Sequence, residues 1–376
     1  MITRRLCATA DGLQLLYDLR RIYPGTEDGI SGGLGVKPLD DLLEVFMSGP
    51  GLQQGRVDHE NPNVQSEDGH GHAGTTRNTA SEPVVEISST SSGAGKSQLM
   101  YHLTAVAVLP SKFNEISLGG KNAAVVFIDA DYRFDVHRLR TVARGIVHQK
   151  LKQDHDGIED MLVDSLQHVH VFRPGSSASL LATLQSLDSY LFDLSCHVSS
   201  TRPLQAIVID SATAFFWQDK LRDQVARTEE IGRSHAEIEQ ARIRKQSFYI
   251  ADMYAELVRE LKRLQRVFGC AVVYTTTAWV ARSHVLDSAG AGPVAFRCAL
   301  PPPWGLFPTL RLVVRSFPAA VTTARDAGLS RFLGCVNGLG REEWPRRITE
   351  GLDGRGKGTF MFYTGRDGVD IDIPGT

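Results

Sequence analysis

Ten residues, Ser88 to Ser97 (SSTSSGAGKS), constrain this chain more than any other stretch because of what flanks them. Val84 to Ile87 is a short apolar run that reads as a strand, and Gln98 to Leu109 reads as a helix stopped by Pro110. Strand, small-residue loop and helix together make a phosphate-binding turn: backbone N–H groups curl around the anion, and the helix N-terminus adds partial positive charge. The small residues Gly93, Ala94 and Gly95 let the backbone approach. Lys96 brings a point charge to the β- and γ-phosphates, and the Ser97 hydroxyl is a magnesium ligand. The bound molecule this implies is ATP with Mg2+. The full pattern, G-x-x-x-x-G-K-S/T, opens on glycine, whereas Thr90 stands there. Threonine tolerates a positive φ badly, so an altered or strained opening turn is expected. The bland alternative is a serine-rich turn that happens to contain Gly-Lys-Ser, and the flanking strand and helix argue against it.

The chain beyond this loop alternates strands with helices. Strands are expected over Ala123 to Ile128, Val169 to Phe172, Ala206 to Ile209, Ala271 to Thr275 and Thr309 to Val314. Their uninterrupted apolar runs suit a parallel sheet covered on both faces. Ser176 to Phe192 has serine caps and a leucine stripe at helical spacing, and one long charged helix is expected over Arg242 to Phe268. Successive strand–helix units imply an α/β fold, a twisted, mostly parallel sheet with helices on both faces. Ala206 to Ile209 ends in Asp210, a carboxylate at the carboxyl end of a buried strand, where an ATPase holds magnesium-bound water. Asp210 also has the chemistry to cap the next helix. Another strand ends in Asp129-Ala130-Asp131, and one of these carboxylates is suited to orient or activate water. If both are structural, Asp129 is the more buried and Asp131 the solvent-facing one.

Before the core, Gly12 to Tyr23 and Pro38 to Phe46 read as short helices of a leader over 1–48. Residues 49–82 hold almost no large apolar side chain and read as a flexible polar insertion. His70 and His72 within it are too few for a stable metal site. The core is expected over 83–318, and 319–376 as an extension completing it. A net charge of −2 provides no global attraction to nucleic acid, so any DNA contact must come from local patches. Five cysteines without C-x-x-C spacing read as reduced thiols of an intracellular protein. No stretch approaches the roughly 20 apolar residues of a membrane helix.

GKSQLMYHLTAVAVLP, VVFIDADYRFDVHRL, SSASLLATLQSLDSYLF and IVIDSATAFFWQDK, in that order, resemble the eukaryotic RecA-type recombinase paralogues. The likeness spans about 84–280, continues through TLRLVVR and includes the closing FMFYTGRDGVDI. Tyr101-His102 and Phe215-Phe216-Trp217 are its most specific pieces. The resemblance implies a RecA-like P-loop NTPase core working in the nucleus on recombinational repair of broken DNA, usually complexed with another paralogue. Residue by residue, it implies that Lys96 and Ser97 meet phosphate and magnesium and that Asp210 is the second acidic motif. It places Asp131 where active recombinases carry a water-activating glutamate; an aspartate is one methylene shorter, which leaves the carboxylate about an ångström out of reach. Thr276-Thr277-Ala278 replaces the pair that senses the γ-phosphate. Both departures imply weak hydrolysis. Residues 281–303 correspond to a DNA-facing loop with only Arg282 and Arg297 as cations. An active, DNA-stimulated ATPase is the alternative. A small-metabolite kinase would need an arginine-rich lid over the γ-phosphate, and none is present.

Overall fold

The computed structural model describes residues 33–48, 82–151, 155–244, 247–279, 295–317 and 329–372. The expected helix over Gly12 to Tyr23, the polar insertion with His70 and His72, and Arg282 lie outside these residues. Strands in chain order are β1 (Val84–Ser89), the small hairpin β2–β3 (Lys112–Phe113, Ile116–Ser117), β4 (Ala124–Asp129), β5 (Val169–Phe172), β6 (Leu204–Asp210), β7 (Ala271–Trp279), β8 (Arg297–Cys298), β9 (Leu310–Phe317), β10 (Ser330–Val336), β11 (Thr359–Gly365) and β12 (Gly368–Asp372). Helices are α1 (Lys37–Met47), α2 (Lys96–Val108), α3 (Val136–Leu151), α4 (Ile158–Leu166), α5 (Ser177–Phe192), α6 (Phe216–Glu229), α7 (His235–Ile243), α8 (Ile250–Phe268) and α9 (Arg346–Asp353).

One twisted sheet runs β12-β11-β10-β9-β1-β7-β6-β4-β5. From β9 to β5 every pair is parallel, and β10 to β12 continue the sheet antiparallel. The alternation of side chains along each strand feeds two cores. Val85 and Ile87 of β1 face α1, α2, α3, α4 and α9, whereas Val84 faces the layer of α5, α8 and Trp304. The expected α/β architecture is therefore present, with apolar strands such as β4 buried at every position.

Helices α3, α4, α6 and α9 were not legible in the sequence, and the long charged helix expected over Arg242 to Phe268 begins only at Ile250, after the separate helix α7 that ends at Ile243. The chain breaks between α7 and α8 because Ser234 and Glu237 form a capping box that starts α7 early, and α8 starts anew at Ile250, whose N–H Asp223 accepts. Three arginines of this region are ion-paired: Arg242 with Asp252, Arg259 with Glu256, and Arg263 with Glu260 and Asp188. That is the behaviour of a solvated face. Trp344, in the mixed-charge stretch after β10, packs edge-on against Phe46 with centroids 5.5 Å apart, which fastens the leader helix α1 to the C-terminal residues.

At the edge strand β5, buried His168 and His170 share the hydroxyl of Ser199 at 2.8 and 3.0 Å. His170 also meets the Tyr190 hydroxyl at 3.0 Å. Burial, then the neighbouring His197 and His168, push His170 down to about 4, and burial holds His102 near the same value. The unfolded chain titrates these imidazoles near 6.5 and so binds more protons between those limits. Stability is thus complete above about pH 6.5 and is lost as pH falls toward 4, with a slope of about 1.4 kcal/mol per pH unit per histidine. Urea midpoints at pH 7.5, 6 and 5 are expected to fall steadily, and His170→Gln to flatten the fall. A midpoint indifferent to pH over this range contradicts the assignment.

Candidate nucleotide site

The loop between β1 and α2 has its left-handed residues at Gly93 (φ 76°) and Gly95 (φ 93°), where glycine carries no steric penalty. Thr90 is not among the residues with positive φ, so the strain expected of it is absent: the turn is taken by the later glycines instead. Gly95 is also needed for space. A Cβ there would lie 2.8 Å from Phe332 Cδ1 and 3.0 Å from Phe362 Cζ, so strands β10 and β11 back the loop directly. Ala94 is buried, while nothing lies within 4 Å of a Cβ on Gly93.

Three strand ends converge on this loop. Lys96 Nζ donates to Ser89 Oγ at 2.5 Å, and the Ser89 hydroxyl donates to the Ser91 carbonyl at 2.8 Å. Ser97 Oγ donates to Asp210 Oδ2 at 2.7 Å. The other Asp210 oxygen, Oδ1, accepts from Thr275 Oγ1 at 2.5 Å. Asp210 is therefore held between α2 and β7 and caps no helix. Thr275, which is fully buried, went unrecognised in the sequence because its partner is set by register: Ile209 pairs with Tyr274, placing Asp210 beside the next residue of β7. Of the triplet expected at the γ-phosphate, Thr276 turns away to donate to buried Glu86 at 2.8 Å, and the Thr277 N–H donates to Thr213 Oγ1 at 3.2 Å.

Asp129 and Asp131 separate cleanly. Asp129 is buried and accepts from the N–H groups of Arg133 (2.8 Å) and Phe134 (3.1 Å) and from Arg173 Nε (2.9 Å), so its two oxygens are spent on holding the turn after β4. Asp131 is exposed at the mouth of the site, and its backbone N–H reaches the Asp210 carbonyl at 3.3 Å. Desolvation first, and then the charge of Asp210, raise its carboxyl above the usual range, against the pull of Arg133 and Lys96. Burial lowers the Lys96 ammonium, with Asp210 and then Asp131 opposing. A partly desolvated ammonium beside an N-terminal helix turn is a site short of negative charge, which phosphate oxygens supply. The neighbouring hydroxyl and carboxylate of Ser97 and Asp210 are hard oxygen donors of the kind Mg2+ prefers. Among the described residues no group of three His, Cys, Asp or Glu side chains makes a separate metal site, and no helix is long and apolar enough to cross a membrane.

No protein-family model matches the chain. It is similar to the mouse DNA repair protein XRCC2, 35% identical over 130 residues, which are 34% of this chain and 40% of the mouse protein. An XRCC2 homologue of Arabidopsis thaliana is 25% identical over 271 residues, 62% of this chain and 68% of that protein. The DNA repair and recombination protein RadA of Methanoculleus marisnigri is 29% identical over 124 residues, 33% and 34% of the two chains. The matched region thus spans less than half of the mouse and archaeal relatives. The resemblance to RecA-type recombinase paralogues read in the sequence is borne out, and the α/β core is a RecA-like NTPase core.

Proposed function

We propose that this chain is a RecA-like recombination-repair protein. In this reading it binds ATP with Mg2+ and serves in homologous-recombination repair of DNA double-strand breaks in the nucleus, mainly as a subunit of a complex with another RecA-type paralogue. The observation that carries the nucleotide reading is the chain of contacts Ser97–Asp210–Thr275 beside Lys96, in which three separate strand ends meet one phosphate loop. The process rests on the relatives, which are named for DNA repair and recombination. Gly93, Ala94 and Gly95 would admit the β-phosphate to the backbone N–H groups, and Lys96 would neutralise it. Ser97 and Asp210 would hold Mg2+, which supplies charge compensation for the phosphates when bound. Thr275 keeps one Asp210 oxygen occupied so that the other faces Ser97.

Weak hydrolysis follows from the short reach of Asp131 and from a β7 end whose threonines engage Asp210, Glu86 and Thr213. One observation favours the second reading, a DNA-stimulated ATPase: the raised carboxyl of Asp131 makes it a better proton acceptor than an ordinary aspartate. ATP binding and turnover by the purified protein, with and without single-stranded DNA, divide the two. Tight Mg2+-dependent binding with turnover that DNA leaves unchanged supports the subunit reading. Turnover that DNA raises and Asp131→Asn abolishes supports the ATPase. Absence of any nucleotide binding sinks both.

A further inference from the structure

On the far side of α3 from the core, an open groove of about 1140 Å3 runs between that helix and the hairpin β11–β12. One wall is the solvent face of α3. Leu139, Val142, Ala143, Ile146 and Val147 go to the core, which leaves His137, Arg140, Arg144 and His148 recurring at three or four residues along the groove. The opposite wall carries Arg331, Tyr363 and, at the hairpin turn, Arg366. The floor is made by close contact of backbones: a Cβ on Gly145 would lie 2.2 Å from the Asp367 carbonyl oxygen. Arg138 completes the joint, reaching the carbonyls of Gly365 at 3.0 Å and Gly368 at 3.3 Å. The two walls are thus fixed relative to each other.

The charge of this groove runs against that of the molecule, whose net charge is −2. Four guanidinium groups line it against the carboxylates Asp367 and Asp370. Glu159, on α4, is shared by Arg140 and Arg144, so one carboxylate serves two cations. Arg331 lies over the Tyr363 ring, 5.8 Å from its centroid. From His137 to His148 the basic stripe extends about 16 Å, longer than a mononucleotide needs. Guanidinium groups at successive helical turns suit a polyanion with regularly repeated phosphates, and the aromatic ring opposite suits a base.

We propose that this groove binds the phosphodiester backbone of single-stranded DNA, at a site separate from the phosphate loop. The choice of DNA as the polyanion rests on the recombination-repair reading; the charge and shape of the groove do not. The test is fluorescence anisotropy of a labelled oligothymidylate in a salt titration, with the full-length wild type, Arg366→Glu and the double variant Arg144→Gln/Arg366→Glu. ATP binding and thermal melting are followed in the same samples. The double variant is expected to bind DNA at least tenfold more weakly at low salt, with a salt slope shallower by about 1.4, since each lost phosphate contact on a single strand removes about 0.7. ATP binding and melting are expected to match wild type. Arg366→Glu alone, on the wall away from Glu159, is expected to show about half the change in slope. Folded variants that keep wild-type DNA affinity and slope overturn the proposal, as does a wild type that binds ATP yet no oligonucleotide at low salt. Loss of DNA binding in the variants of a protein that never binds ATP supports the groove and refutes the nucleotide reading.

Discussion

Lys96→Ala is expected to weaken ATP binding by about a hundredfold, corresponding to about 2.7 kcal/mol, as read by competition with a fluorescent ATP analogue. The magnitude is that of one or two charge-assisted hydrogen bonds to phosphate made by a partly desolvated ammonium. The unliganded fold should not suffer. Among the described residues Lys96 has only the Ser89 hydroxyl in hydrogen-bond reach, and that hydroxyl keeps its own acceptor, the Ser91 carbonyl. Melting without nucleotide is therefore expected at the wild-type temperature or slightly above it, because a lysine held below its ordinary pKa by burial is a cost to folding. Lys96→Arg should not restore affinity, since the planar guanidinium cannot occupy the place of a compact ammonium. Under the subunit reading, Lys96→Ala also leaves assembly with the partner paralogue intact. A variant that binds ATP as well as wild type removes the basis for calling this loop a nucleotide site.

Phe362→Ala carries the second large effect, this time on stability. The ring is fully buried on β11, stacks on Phe332 with centroids 5.0 Å apart, and touches the space over Gly95. Truncation removes its transfer energy and leaves a cavity, at a cost of about 3–5 kcal/mol by urea denaturation. Phe362→Leu keeps most of the volume and should lose far less, about 1.5 kcal/mol or under. The alanine variant should also bind ATP more weakly even where it remains folded, because the glycine turn loses its backing. A loss below about 1 kcal/mol would mean that β11 does not hold the loop.

These two residues mark the boundary of what could be read from the chain. The placement of Lys96, Ser97 and Asp210 was legible because it is tied to local context: a strand before, a helix after, a carboxylate at a strand end. Strand β5 was legible to the residue and β4 to within one, whereas β1 came out longer by two residues and β6 by three, because polar or small residues such as Ser88 and Ser89 pair in the ladder as well as apolar ones do. Helix α3 was missed since Arg140, Arg144 and His148 interrupt its apolar face in sequence, although they stand on the other side of it in space. Thr275, Phe332 and Phe362 were not legible at all. Their roles depend on which strand lies beside which, and the sheet order sets β9 next to β1, with β10 and β11 following, although all three are far from it along the chain. Asp131 and Asp129 are the intermediate case. The sequence offered Asp129 as the more buried of the two if both were structural, and the three donors around it are what the fold adds.

The aromatic backing of Gly95 has a consequence for the order of events during synthesis. The phosphate loop and its helix are synthesised before Phe332 and Phe362, against which Gly95 rests. A growing chain can pair its parallel strands as each strand–helix unit emerges. Its phosphate loop, however, stays unbraced until β10 and β11 have been laid beside β9. Nascent chains halted before β10 therefore lack the two rings that fill the space over Gly95, and the turn of the loop takes its final support only when those strands are in place.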